Sequence, residues 1–317
     1  MIMQTTLGIL AIVMWSCLAL LGVNTAAIPA FQLLSVCFAI SALLMFIKRL
    51  ILKENLFSKP TLSVKQWLVG VGGLFGFHYC YFTALKIAPA IEVSLIAYLW
   101  PMLLALFIAT KATRIKALLG GLISFIGVSF IIVGDTDLAY NPDYIKGYAL
   151  AACCAILWST YSWFFSKSDS NAANSVDNIG WLSLVTALFA LIVHFQLETA
   201  YLSSSQLSSQ NWQFTFQQWI SIILLGIGPV GGAFYLWDIA LKQGNKKLLA
   251  SLSFCTPLIS SIILALVGLN LWSSNILISL SLILLGALVS NTRTLSFSAL
   301  LLYIKLKVKR NTHKIST

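Results

Sequence analysis

The sequence predicts an all-α polytopic membrane protein. Its ten transmembrane helices form two inverted five-helix repeats, with the N and C termini cytoplasmic. Three observations carry this reading. Of 317 residues, 59% are hydrophobic and 9% charged, against the roughly one quarter charged that is usual for a soluble domain. The apolar residues fall into ten runs near the length of about 20 that a helix needs to cross a bilayer. Residue types then recur between the two halves at a constant spacing.

The first run, 5–23, has no positively charged segment ahead of it and is matched later in the chain, so it reads as a retained span and not as a cleaved signal peptide. Runs 29–47, 66–86, 89–110 and 115–134 complete the first half, and 146–166, 178–197, 219–241, 247–268 and 273–290 make the second. Cytoplasmic loops retain Lys and Arg. With the N terminus inside, Lys48, Arg49, Lys53, Lys59, Lys65, Lys111, Arg114, Lys116, Lys167, Lys242, Lys246 and Lys247 all fall on the cytoplasmic side, as do the tail residues Arg293, Lys305, Lys307, Lys309, Arg310 and Lys314. Only Lys86 and Lys146 remain outside. A misplaced span would scramble that alternation.

Two outer connections follow. One carries Asp135, Asp137 and Asp143, which weigh little on orientation. The other, 198–218, is rich in Ser and Gln, with Trp212, Phe214 and Phe216 expected to anchor at the interface. The tail stretch Leu295–Val308 is apolar but short for a span, and an interfacial helix is expected there.

Ala84-Leu85-Lys86 recurs as Ala240-Leu241-Lys242, and Pro101 as Pro257, both at an offset of 156 that Gly76/Gly232 and Tyr79/Tyr235 share. Earlier in each half, Trp15-Ser16 answers Trp158-Ser159 and Leu34-Ser35 answers Leu182-Ser183. Five spans per half is an odd number, so the second copy enters the membrane the other way up, and Lys86 outside faces Lys242 inside. Residues 1–137 and 144–292 are the expected repeats, and 293–317 is a basic cytoplasmic tail. Inverted repeats are characteristic of transporters, because two opposed copies make inward-open and outward-open states of similar energy.

Composition also excludes classes. The net charge of +11 sits in short loops between apolar runs, with no extended basic face for nucleic acid. All six cysteines lie inside apolar segments, with no CxxC and no His at metal-ligand spacing, so no metal site or cofactor is expected. No HExxH, paired acidic motif or Ser/His/Asp cluster falls within the spans, and no P-loop follows any of them, so the reading is not an enzyme and not an ATP-driven pump. A channel would need a polar or charged ring, also missing. The expected partners are the lipid bilayer and a small-molecule substrate; the oligomeric state is not readable.

Pro101 and Pro257 lie near the middles of the fourth and ninth runs. Each proline removes a backbone donor and frees a carbonyl one turn earlier, which hydrocarbon tolerates only where protein or a water-filled cavity takes up the freed group. The pair therefore marks a central cavity with hinges. Trp15, His78, Tyr79, Tyr81, Tyr98, Trp100, Trp158, Tyr161 and Trp163 collect at that depth. Indole N–H and phenol O–H groups need partners there, and a polar pocket supplies them. Of the ionisable residues within the spans, His78 is deepest and shares a helix face with Tyr81. Glu92 lies near an outer end, Asp238 and Lys242 form an i,i+4 pair near the cytoplasmic interface, and His194 is expected at an outer boundary.

The block Ile91-Glu92-Val93 followed by Tyr98-Leu99-Trp100-Pro101, with Trp15-Ser16, Thr256-Pro257-Leu258 and Ser260-Ser261, resembles the drug/metabolite transporter superfamily in its EamA-type ten-helix branch. Within that branch it is similar to the aromatic-amino-acid exporters called YddG. The resemblance covers essentially the whole transmembrane region and departs in the third span and in the long basic tail. It implies alternating access around a central cavity lined by His78, Tyr81, Tyr98, Trp100 and Trp158, to which the midplane Trp15 adds a sixth candidate. It also implies export of amino acids or related metabolites across the cell inner membrane; uptake of a metabolite is the alternative within transport.

Overall fold

The computed structural model describes residues 2–133, 142–168, 172–199, 213–269 and 274–291. Asp135, Asp137, Trp212 and the tail stretch Leu295–Val308 lie outside them. The described residues are helical throughout, joined by short turns and loops.

The first span runs from Ile2 to Thr25 as α1 (Ile2–Ser16), α2 (Leu18–Gly22) and a short 3-10 turn. Next come α3 (Ala30–Ile51) and the third span, Val64–Ile87. In the third span α4 (Val64–Val71) and α5 (Phe77–Ile87) are joined by a π-helical turn at Gly72–Gly76. The fourth span is α6 (Ala90–Ala97) and α7 (Trp100–Ile108), and the fifth is α8 (Arg114–Val133). The second half repeats this order: α9 (Ile145–Phe165), α10 (Ala172–Val193), α11 (Phe216–Ile227), α12 (Gly232–Gln243), α13 (Lys246–Leu252), α14 (Cys255–Leu266) and α15 (Ser274–Asn291). Nine stretches among the described residues are long and apolar enough to cross a membrane. The pair α13 and α14, bent by 45°, makes a tenth if it is one span.

The interruptions have local causes. Pro101 stands in the first turn of α7 and Pro257 in the first turn of α14, where a missing N–H breaks no helical bond. The chain therefore breaks just before each proline, at Tyr98–Leu99 and at Ser253–Phe254, where a kink within a continuous helix was expected. The eighth span breaks at 228–231, and a side chain at Gly231 would run into the Gly226 carbonyl. The third and eighth spans both begin on a capping box: Ser63 with Gln66, and Thr215 with Gln218.

Large apolar side chains such as Leu68, Leu188 and Leu277 face outward, as lipid contact requires. Small residues bring helices together inside. Along α3 and α10, Ser41 bonds Ser183 at 2.9 Å, and along α8 and α15, Ser279 donates to the Gly127 carbonyl at 2.6 Å.

Two basic side chains are more buried than expected. Arg49 lies in the last turn of α3 and is 1% exposed. It donates to the Leu56 carbonyl at 2.8 Å and pairs with Asp177 at 3.1 Å, tying the following loop to α10. His194, expected at an interface, is buried and holds Glu198 at 2.8 Å. Glu198 in turn accepts the backbone N–H groups of Phe31 (3.0 Å) and Gln32 (3.3 Å). Pro29 offers α3 no side-chain cap, and this carboxylate meets its unpaired first-turn donors instead.

Candidate functional site

The site grows from four tryptophans on four different spans. Trp15 of α1 lies 6.2 Å from Trp100, 5.7 Å from Trp158 and 5.1 Å from Trp237, measured between ring centroids. Trp100 completes the cluster at 6.2 Å from Trp158 and 6.0 Å from Trp237. The arrangement is edge-to-face, which suits the aromatic quadrupole. Each position has a local reason. Trp100 opens α7 beside Pro101, so the break presents it. Trp15 and Trp158 each precede a serine that bonds back to its own helix, Ser16 to Ile12 and Ser159 to Ala155.

Above this cluster lies a cavity of about 310 Å³. It extends to Gly22, Thr25 and Ala30 at the ends of the first and second spans. Trp15, His78, Tyr81, Tyr98, Trp100 and Trp158, the six candidates from the sequence, all stand in its wall. Pro101 lies outside the lining and is buried; Pro257 lines a second cavity next door. Below the tryptophans the opposite ends of the same helices pack tightly. Thr5 Oγ accepts the Asn245 N–H at 2.9 Å, and a side chain added at Gly8 would meet Leu249 and Ala240.

The wall is largely aromatic and, among the described residues, carries no Asp, Glu, Lys or Arg. His78 Nδ1 donates to the Leu74 carbonyl at 2.6 Å, which leaves Nε2 as the ring's second polar atom. Its ring stands edge-on to Phe38 at 5.5 Å and to Phe234 at 6.4 Å. Tyr81 and Ser94 share a hydrogen bond of 3.0 Å that links α5 to α6. The chemistry on offer is stacking against indole and phenol rings with a few neutral hydrogen-bonding groups. It suits a ligand with an apolar or aromatic body and no net charge.

Phe234 and Trp237 are not among the residues expected from the sequence, and Thr256 entered there only through the Thr256-Pro257-Leu258 motif. Phe234 and Thr256 line the cavity, and Trp237 completes the tryptophan cluster behind it. The signal was present: the 156-residue offset carries His78 to Phe234, Tyr81 to Trp237 and Trp100 to Thr256. Asp238 and Lys242 form the expected pair at 2.6 Å, but their side chains are 1% and 5% exposed. Lys242 is packed over the Phe165 ring.

Comparison with known proteins agrees with this architecture. Residues 145–292 match the EamA-like transporter family. The chain is 34% identical over 295 residues to a protein of Ancylobacter novellus named aromatic amino acid exporter YddG, covering 90% of this chain and 96% of that one. A protein of Escherichia coli with the same name is 26% identical over 278 residues, or 82% of this chain and 87% of that one. A solved crystal structure at 33% identity superposes with a TM-score of 0.77, covering 91% of this chain and 96% of its own. This multi-pass membrane protein belongs to the EamA-like branch of the drug/metabolite transporter superfamily, as a YddG-like transporter.

Proposed function

We propose that this protein is a secondary transporter that exports amino acids, aromatic ones foremost, or related metabolites across the bacterial inner membrane. The observation that carries the reading is the uncharged aromatic cavity centred between the halves. The names of the relatives point the same way.

The two halves act as inverted repeats, 1–137 and 144–292. Supporting this, the fourth and ninth spans break within one residue of the 156-residue offset, and the glycine-rich interruptions of the third and eighth spans begin at that offset. The Lys and Arg distribution supports cytoplasmic termini and the basic segment 293–317 on that side. With that orientation the cavity faces outward and the tryptophan cluster seals the cytoplasmic side. Pro101 and Pro257 mark the hinges, and Trp15, His78, Tyr81, Tyr98, Trp100 and Trp158 hold the substrate. Rocking of one half against the other around this fixed site gives alternating access.

The test is flux in proteoliposomes against an amino-acid panel, with and without a pH gradient. Phenylalanine, tyrosine and tryptophan should cross faster than in protein-free vesicles. If no amino acid does, the reading fails.

A further inference from the structure

A second, more open cavity of about 360 Å³ adjoins the central one and shares Trp15, Leu18, Ser94, Tyr98 and Thr256 with it. One side is aliphatic, with Leu18, Ile91, Ile131 and Ile132. The other is a row of hydroxyls from α14: Thr256, Ser260 and Ser261. Thr256 and Ser260 are four residues apart and so share one helix face.

Ser260 and Ser261 depart from a common pattern of serines in membrane helices. In hydrocarbon a serine usually satisfies its hydroxyl on the carbonyl four residues back. Ser16, Ser129, Ser253 and Ser281 do so, at 2.9, 2.9, 2.8 and 2.9 Å. Ser260 and Ser261 make no such bond among the described residues, and both line the second cavity.

An amino acid brings an ammonium and a carboxylate into a site whose two cavities, among the described residues, are lined by no Asp, Glu, Lys or Arg. Burying those charges without hydrogen bonds is costly. A hydroxyl can donate to the carboxylate and accept from the ammonium, so a cluster of hydroxyls serves both ends of a zwitterion. Ser94 and Thr256 line both cavities and already bond Tyr81 and the Ser253 carbonyl, and Ser260 and Ser261 add two further hydroxyls on the second side.

We propose that the two cavities are lobes of one site: the tryptophan-lined lobe takes the substrate's side chain, and the hydroxyls of Ser94, Thr256, Ser260 and Ser261 in the second lobe take its zwitterionic main-chain end. This rests on the amino-acid export reading above. It makes the α14 hydroxyls recognise what all amino acids share, while the aromatic lobe tells side chains apart.

The test compares KM for phenylalanine, tyrosine and tryptophan in proteoliposomes. The double variant Ser260→Ala/Ser261→Ala should raise all three by a common factor of roughly tenfold, as expected for losing a hydrogen bond to a charged group. Ser260→Thr keeps the hydroxyl and should stay near the wild-type KM. Ile131→Phe narrows the second lobe from its aliphatic wall without touching a hydroxyl, and should also raise the three KM values together. If wild-type flux is present and the KM values of both the double variant and Ile131→Phe are unchanged, the assignment is overturned. A change that differs from ring to ring overturns it too. If the wild type carries no aromatic amino acid, the export reading falls and the assignment falls with it.

Discussion

Gly120 on α8 and Gly286 on α15 stand in reciprocal contact: a side chain added to either would meet the backbone carbonyl of the other. The reciprocity extends one turn further, because Gly120 abuts Ser290 and Gly286 abuts Ser124. Each helix thus presents the same glycine-then-serine pair, four residues apart, to the other. The last spans of the two halves approach as closely as backbones allow, and Ser279 and Ser124 donate across the gap to the carbonyls of Gly127 (2.6 Å) and Ile283 (3.4 Å).

A bulky residue has no room at that contact. Gly120→Leu should lower stability by about 1–3 kcal/mol, the range for overpacking a close-packed interface. Ser124→Ala removes one interhelical hydrogen bond and should cost only about 0.6 kcal/mol. Thermal unfolding in detergent, followed by tryptophan fluorescence, separates the two; equal melting temperatures for Gly120→Leu and wild type would refute the contact's role.

The centre of the tryptophan cluster gives a functional prediction. Trp100 lies within 6.2 Å of both Trp15 and Trp158 and borders the break at Tyr98–Leu99. Trp100→Ala should abolish transport while the protein still inserts in the membrane. Trp100→Phe keeps an aromatic face and should retain part of the flux. Wild-type flux in Trp100→Ala, measured per inserted molecule, would sink the pocket assignment.

Orientation can be tested without any substrate. Reporter fusions at Lys53 and at Lys314 should both report the cytoplasm, because the positive charges cluster in the connections on that side. If the two fusions disagree, the span count between them is wrong.

How much of this was legible follows from what repeats and what does not. The apolar runs could be placed because hydrophobicity is a local signal, and the helices among the described residues begin and end within a few residues of the expected runs. The break at Tyr98–Leu99 was foreshadowed by Pro101, although a proline does not say whether a helix bends or restarts. Phe234 and Trp237 were within reach of the same offset that linked Pro101 to Pro257. Other features depend on partners far apart in the chain. Glu198 meets Phe31 across 167 residues, and nothing near either position signals it. The burial of Lys242 was equally hidden: its spacing from Asp238 announces a pair, but not that Phe165 packs against it.

That buried pair carries the last prediction. Asp238 and Lys242, 2.6 Å apart with side chains 1% and 5% exposed, lie on the sealed side of the tryptophan cluster. Removing one partner leaves a charge in a low-dielectric surrounding, which typically costs about 3–5 kcal/mol. Replacing both with apolar residues of similar volume is often neutral, because the desolvation cost of the pair vanishes with its attraction. Asp238→Leu and Lys242→Met should therefore each lower the melting temperature steeply, and the double variant should recover most of the loss. Strict additivity of the two single effects in a double-mutant cycle would show that the residues do not act as a pair. Recovery of stability without recovery of flux would place the pair in the transport cycle as well as in the fold, since a neutral substitute can hold one closed state but cannot rehydrate as an ion pair when that side opens.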